Sequence, residues 1–137
     1  MEHTKQTLGL QTKLNTDLES AQAIVAEALK AEGFGILTEI DVKATLKKKI
    51  DVDFHPYKIL GACNPALAHQ ALMIAPEIGL LLPCNVIIAE NEMGKTDVSL
   101  INPLMMMGVI GNPDLETIAQ EAQERLERVR AALEAQS

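Results

Sequence analysis

The two cysteines are the most reactive side chains of this sequence, and both stand in similar corners, Ala62-Cys63-Asn64-Pro65 and Pro83-Cys84-Asn85-Val86. Each corner puts a thiol where a strand meets a helix or loop. A thiol at a helix N-terminus faces unpaired amide donors and the positive end of the helix dipole, and both favour thiolate. Cys63 has that setting, because Asn64 suits an N-cap and Pro65 suits a first helical turn that needs no amide hydrogen there. If the strands ending at Cys63 and beginning at Cys84 are antiparallel neighbours, both thiols lie at one sheet end. There they can form a redox pair or bind a soft metal. If the strands are parallel, the thiols lie at opposite ends. The structural alternative is a pair of small packing residues, since free cysteine is among the most buried side chains.

Other chemistry is thinner. Asn64 and Asn85, beside the thiols, are candidate ligand-binding residues, and Glu39 is a third. Thr38, Glu39 and Asp41 cluster at a strand-to-helix junction where capping accounts for Asp41. Glu39 as a general base has no identified acid or nucleophile to work with. There is no CxxC, and His55 and His69 lack ligand-like spacing, so no metal site and no cofactor are expected. His3, with the terminal amine and two backbone amides, offers a square-planar nitrogen set for Cu(II) or Ni(II), of incidental value. Lys43, Lys47, Lys48 and Lys49 read as a solvated helix face rather than an anion site. Met105-Met106-Met107 reads as core filler rather than a soft-metal or partner surface.

The elements that must position these residues follow from periodicity and caps. Gln6 to Leu14 alternates as a strand. Thr16-Asp17-Leu18-Glu19 reads as a capping box that starts a helix at Asp17, and Gly33 stops that helix. Phe34 to Ile40 is a strand, and Asp41 caps a helix to Ile50 with Val42, Leu46 and Ile50 inward. Tyr57 to Ala62 is a strand, followed by a helix from Asn64-Pro65 to about Ala75. Ile78 to Leu82 is ambiguous between strand and helical turn. Cys84 to Glu90 and Lys95 to Ile101 form a hairpin across Asn91-Glu92-Met93-Gly94. Pro103 to Gly111 is a Met-rich connection, and Asn112-Pro113 opens a helix from Asp114 to Ala135. In that helix Leu115, Ile118, Ala122, Leu126, Val129 and Leu133 make one stripe, and Glu121 with Arg125 and Glu124 with Arg128 are expected i,i+4 pairs. The order β-α-β-α-β-α-β-β-α implies an α+β fold: two layers, with helices on a largely antiparallel sheet of about five strands.

Composition narrows the function classes. At 137 residues the chain suits one domain, residues 1–137. Only Phe34, Phe54 and Tyr57 are aromatic, so the core is aliphatic and a face for stacking nucleobases is hard to build. A net charge of −7 repels phosphate backbones and anionic membranes, so no nucleic-acid or membrane partner is expected. Met1 to Leu10 is polar where a secretory leader is apolar, which points to the cytoplasm and to free thiols there.

The string Glu32-Gly33-Phe34-Gly35-Ile36-Leu37-Thr38-Glu39-Ile40-Asp41-Val42, with Thr45-Leu46-Lys47 after it, resembles the signature of the domain-of-unknown-function 302 family. Tyr57-Lys58-Ile59-Leu60-Gly61-Ala62-Cys63-Asn64-Pro65, Ile78-Gly79-Leu80-Leu81-Leu82-Pro83-Cys84-Asn85-Val86 and Gly111-Asn112-Pro113 extend the resemblance over nearly the whole chain. It implies a small α+β domain, often homodimeric, without an established activity. The expected function is therefore a homodimeric binding or interaction module, with a small-molecule ligand near the cysteine corners. The alternative is a thiol redox or sensor protein using Cys63 and Cys84.

Overall fold

An α-helix begins with amide donors that have no intrahelical partner, and short polar side chains that accept from them fix where each helix starts. The computed structural model describes residues 7–136. In it the Asp17 carboxylate accepts from the Ser20 amide at 2.7 Å and opens α1, Leu18–Ala31. The cap is thus one residue later than the Thr16 capping box implied. The Asp17 carboxylate takes the role that the box would have given the Thr16 hydroxyl, and the Thr16 carbonyl accepts a 2.9 Å hydrogen bond from the buried Thr96 hydroxyl. Asp41 caps α2, Val42–Ile50, and Asn64 caps α3, Pro65–Ile74, through the Leu67 amide. Asn102 opens the short α4, Pro103–Met107, and Asn112 opens α5, Pro113–Glu134. Three helices thus start with Asn-Pro. The ambiguous apolar run after Pro76 is a 3-10 helix, Pro76–Leu81.

Five strands accompany these helices, the last two joined directly as a hairpin: β1 Gly9–Leu14, β2 Gly35–Asp41, β3 Tyr57–Cys63, β4 Cys84–Glu90 and β5 Thr96–Ile101. They form one sheet in the order β1-β5-β4-β3-β2, and every neighbouring pair is antiparallel. The fold is α+β, as the element order implied. It adds the 3-10 helix and α4 to that order. Side chains alternate across a strand, so each strand offers one face to the helices. Leu10, Leu14, Leu60, Ala62, Val86, Ile88, Val98 and Leu100 point there and are buried with Val25 and Leu29 of α1 and Leu126, Val129 and Leu133 of α5.

A second apolar cluster lies beyond the sheet end. It joins Leu67 and Ala71 of α3, Ile78, Met107 of α4, and Leu115, Ile118, Ala119 and Ala122 of α5. The 22 residues of α5 span about 33 Å at ~1.5 Å each, long enough to serve both clusters. Its cations also reach α1. Arg125 donates to Glu121 at 2.8 Å and to the Glu32 carbonyl at 3.0 Å, beside the negative end of the α1 dipole. Arg128 pairs with Glu32 at 2.9 Å rather than with Glu124, because the interhelical carboxylate lies within its reach.

The inward face expected for α2 is not buried. Val42 and Leu46 are half-buried and Ile50 is 63% exposed, although α2 lies against β3 and β2.

Gly33 ends α1 as a left-handed residue with φ of 87°, letting its amide reach the Lys30 carbonyl and that of Phe34 reach the Leu29 carbonyl, both at 3.0 Å. A Cβ there would also stand 3.0 Å from the Asn64 amide nitrogen and 3.3 Å from Arg125. Gly94 has φ of 75° but open space around it. Both Gly→Ala changes are expected to destabilise, Gly33→Ala by more than ~1 kcal/mol and by more than Gly94→Ala. Urea denaturation of the two variants checks the order, and equal losses would show that crowding at Gly33 contributes nothing.

Candidate functional site

The antiparallel register pairs Ala62 of β3 with Cys84 of β4, so Cys63 lies one residue beyond the partner of Cys84 at one end of the sheet. Of the two arrangements open to the sequence, this is the one that puts both cysteines at one sheet end, with Cys84 on the helix-covered face beside Ala62 and Cys63 on the alternate position. Beyond this sheet end lies an apolar cavity of about 30 Å³. Phe34, Ala62 and Cys84 line it from the sheet, Leu67, Ala71, Met107 and Ile118 line it from the second core, and Cys63 and Asn64 complete it. It therefore occupies the seam between the two hydrophobic clusters.

The two thiols differ. Cys84 is buried, and its pKa is pushed up to about 11, first by loss of hydration and then by repulsion from Cys63. It is a protonated thiol at neutral pH, which runs against its use as an activated sulfur. Cys63 is only half-buried. The neighbouring Asn64 is buried, and its carbonyl oxygen accepts from the Leu67 amide at 3.1 Å, holding the first turn of α3 against the cavity.

The remaining candidates lie elsewhere. Asn85 is exposed and pairs with Gly61, on the sheet face away from the helices. Glu39 sits on the edge strand, where Lys58 at 3.0 Å and Gln22 of α1 at 2.8 Å hold it. The hydrogen bond from Lys58, then that from Gln22, lowers its pKa, so it is a paired carboxylate. Lys47 pairs with Asp51 at 3.0 Å and Asp53 at 3.3 Å, and Lys43 donates to the Phe54 carbonyl. His69 is exposed, and His55 stacks on Phe54 with ring centroids 4.3 Å apart. His3 lies outside the described residues. Among the described residues no group of three or more His, Cys, Asp or Glu is placed to hold a metal ion.

Sequence reasoning missed Met107 as part of the site. It is 5% exposed and reaches the cavity because α4 folds back over α3 and α5. The signal was present in Asn102-Pro103, which repeats the cap pattern of Asn64-Pro65. It was hidden by the shortness of the helix it opens.

A second feature is the uncovered sheet face. Ile40, Ile59 and Ile87 are successive register partners across β2, β3 and β4, and the row continues through Ser99 to Gln11. In the next row Tyr57 and Ala89 lead to Asp97 and Lys13, which form a 3.8 Å ion pair. One half of this face is apolar and the other polar.

The family model for "Domain of unknown function DUF302" matches residues 10–133. The chain belongs to that family. The solved structure of an uncharacterized conserved protein DUF302 from Bacillus stearothermophilus is similar at 29% identity and a TM-score of 0.86, covering 93% of this chain and 99% of that one. No curated protein matches. Among the described residues no helix is long and apolar enough to cross a membrane.

Because the folded Cys84 thiol titrates near 11 rather than at its ordinary 9.0, the unfolded chain loses this proton first as pH rises. Stability is then unaffected by this group below about pH 9 and falls between 9 and 11, by on the order of 2–3 kcal/mol at most. Cys84→Ala is expected to flatten that fall in urea melts across the range. An unchanged slope would place the alkaline loss on other groups.

Proposed function

We propose that this member of the DUF302 family is a non-catalytic, homodimeric binding module of one domain, acting in the cytoplasm, whose ligand occupies the cavity at the cysteine corners. The observation that carries the reading is the cavity itself, an apolar space at the seam of two cores with Cys63, Cys84 and Asn64 at its edge. The described residues include no base, acid and nucleophile arranged for a reaction at that place. At about 30 Å³ the cavity is an order of magnitude below the ~300–1,000 Å³ of pockets that take organic ligands, so its occupant in this conformation is small. The net charge of −7 supports exclusion of nucleic acid, and two unbridged cysteines support a reducing compartment.

Dimerisation is supported by the uncovered sheet face. An antiparallel sheet with one face in water normally places polar residues there. Here Ile40, Ile59, Ile87, Tyr57 and Ala89 take outward positions of β2, β3 and β4, beside Thr38, Gly61 and Asn85 toward the cysteine end, with Ile40 48% exposed. A second copy, placed by a two-fold axis so that apolar half meets apolar half, covers this surface with the same residues on both sides.

Sedimentation is expected to give twice the 14.9 kDa chain mass, and Ile59→Lys to give the single chain. A wild-type monomer at micromolar concentration, or an Ile59→Lys dimer, would falsify this interface. For the binding site, a thermal-shift screen of small ligands is expected to return stabilisation that Ala68→Leu, which fills the cavity edge, removes. The absence of any ligand-dependent shift would reduce the protein to a structural subunit.

A further inference from the structure

Resting on the binding reading, we propose that the occupant of the seam cavity is an uncharged, apolar gas molecule of diatomic size, with dioxygen as the type. The lining decides the polarity. Ala62 and Cys84 face the space from the sheet, Leu67 and Ala71 from α3, Met107 from α4 and Ile118 from α5, and no Asp, Glu, Lys, Arg or His lines it. An ion or a charged metabolite placed there gives up its hydration and gains no counter-charge. Among the lining side chains the one strong hydrogen-bonding group is the Asn64 amide, whose oxygen already accepts from the Leu67 amide. A buried water needs roughly 2–4 polar partners, and apolar cavities without them stay dry and take up apolar molecules.

Size sets the second limit. A volume of about 30 Å³ is two to three times the ~10–15 Å³ that admits one water, so a molecule of two non-hydrogen atoms fits and a metabolite does not. Ala68 and Leu82 of the lining are half-buried, which leaves a way in from the surface beside the first turn of α3.

The space presents one reactive group to such a guest. Cys84 is the cysteine on the helix-covered face, and burial keeps its thiol protonated, with a pKa pushed up to about 11. The thiolate, not the thiol, is the reactive form of cysteine. A gas in this space is therefore held and released with no bond formed or broken.

The test is methyl NMR of the full chain under several bar of dioxygen, with dinitrogen at the same pressure as the diamagnetic reference. Dioxygen is paramagnetic and speeds the relaxation of methyl groups that it touches. The methyls of Ala62, Ala71 and Met107 are expected to relax several-fold faster than those of Leu14, Val25 and Leu133, which are as deeply buried in the main core. Ala68→Leu is expected to bring the two sets level, and a urea melt matching wild type establishes that its fold is intact. Ala68→Val, a smaller filling, replaces it if it does not fold. Wild-type cavity methyls that relax no faster than the main core make the seam a packing gap only and overturn the assignment. An excess that survives at full size in the folded, filled variant overturns it too. If dioxygen fails while a ligand from the thermal-shift screen stabilises the protein, and Ala68→Leu removes the effect, the cavity takes another class of molecule and the binding reading stands. If neither binds, the binding reading falls with the gas assignment.

Discussion

The rest of the structure depends on one helix being shared by two cores. The C-terminal half of α5 lies on the sheet through Leu126, Val129 and Leu133, and its N-terminal half holds α3, the 3-10 helix and α4 through Leu115, Ile118, Ala119 and Ala122. Neither cluster has a large aromatic side chain to fill it apart from Phe34, so both rely on many aliphatic contacts along a single continuous stripe. A seam between two such clusters is the place where short side chains leave space. The cavity is therefore a consequence of how α5 is shared.

Polar contacts then fix the register of the pieces around that helix. Asn102 is 3% exposed and accepts from the Leu104 amide and the Gln123 side chain while donating to the Thr7 carbonyl. One buried amide thus joins the entry to β1, the start of α4 and the middle of α5. Arg125 and Arg128 fasten the end of α1 to α5 in the same way, and no buried side-chain polar atom among the described residues lacks a partner. Burying an unpaired polar group costs ~1–3 kcal/mol, so these few atoms specify the arrangement more strictly than the aliphatic packing does.

Wherever local chemistry alone decides, the elements were legible in the sequence. The hairpin β4–β5, the α5 stripe and the caps at Asp41, Asn64 and Asn112 are set by residues within a few positions of one another. The Thr16 cap gave way to its neighbour Asp17, whose carboxylate accepts from the Ser20 amide, while the Glu124–Arg128 pair gave way to Glu32 from a distant part of the chain. The expected burial of α2 failed as well, since lying against β3 and β2 leaves its apolar residues partly exposed. For the site, the sequence supplied both thiols and Asn64 but left their proximity to strand direction. Met107 was reachable only through the Asn102-Pro103 cap, which marks the start of α4 but not where its end packs.

The uncovered sheet face and the seam cavity are linked through β3. That strand presents Leu60 and Ala62 to the main core and Ile59 to the open face, and it ends at Cys63. It is fixed tightly at one point: a side chain on Gly61 would collide with the Thr38 hydroxyl and the Pro83 ring, so β2, β3 and the entry to β4 approach there without slack. Whatever presses on Ile59 from outside, or draws on Cys63 at the strand end, acts on the same short segment of backbone. The closeness of Gly61 to its neighbours leaves little room for either end to shift alone. Both features are therefore built on one strand whose position is set from both sides.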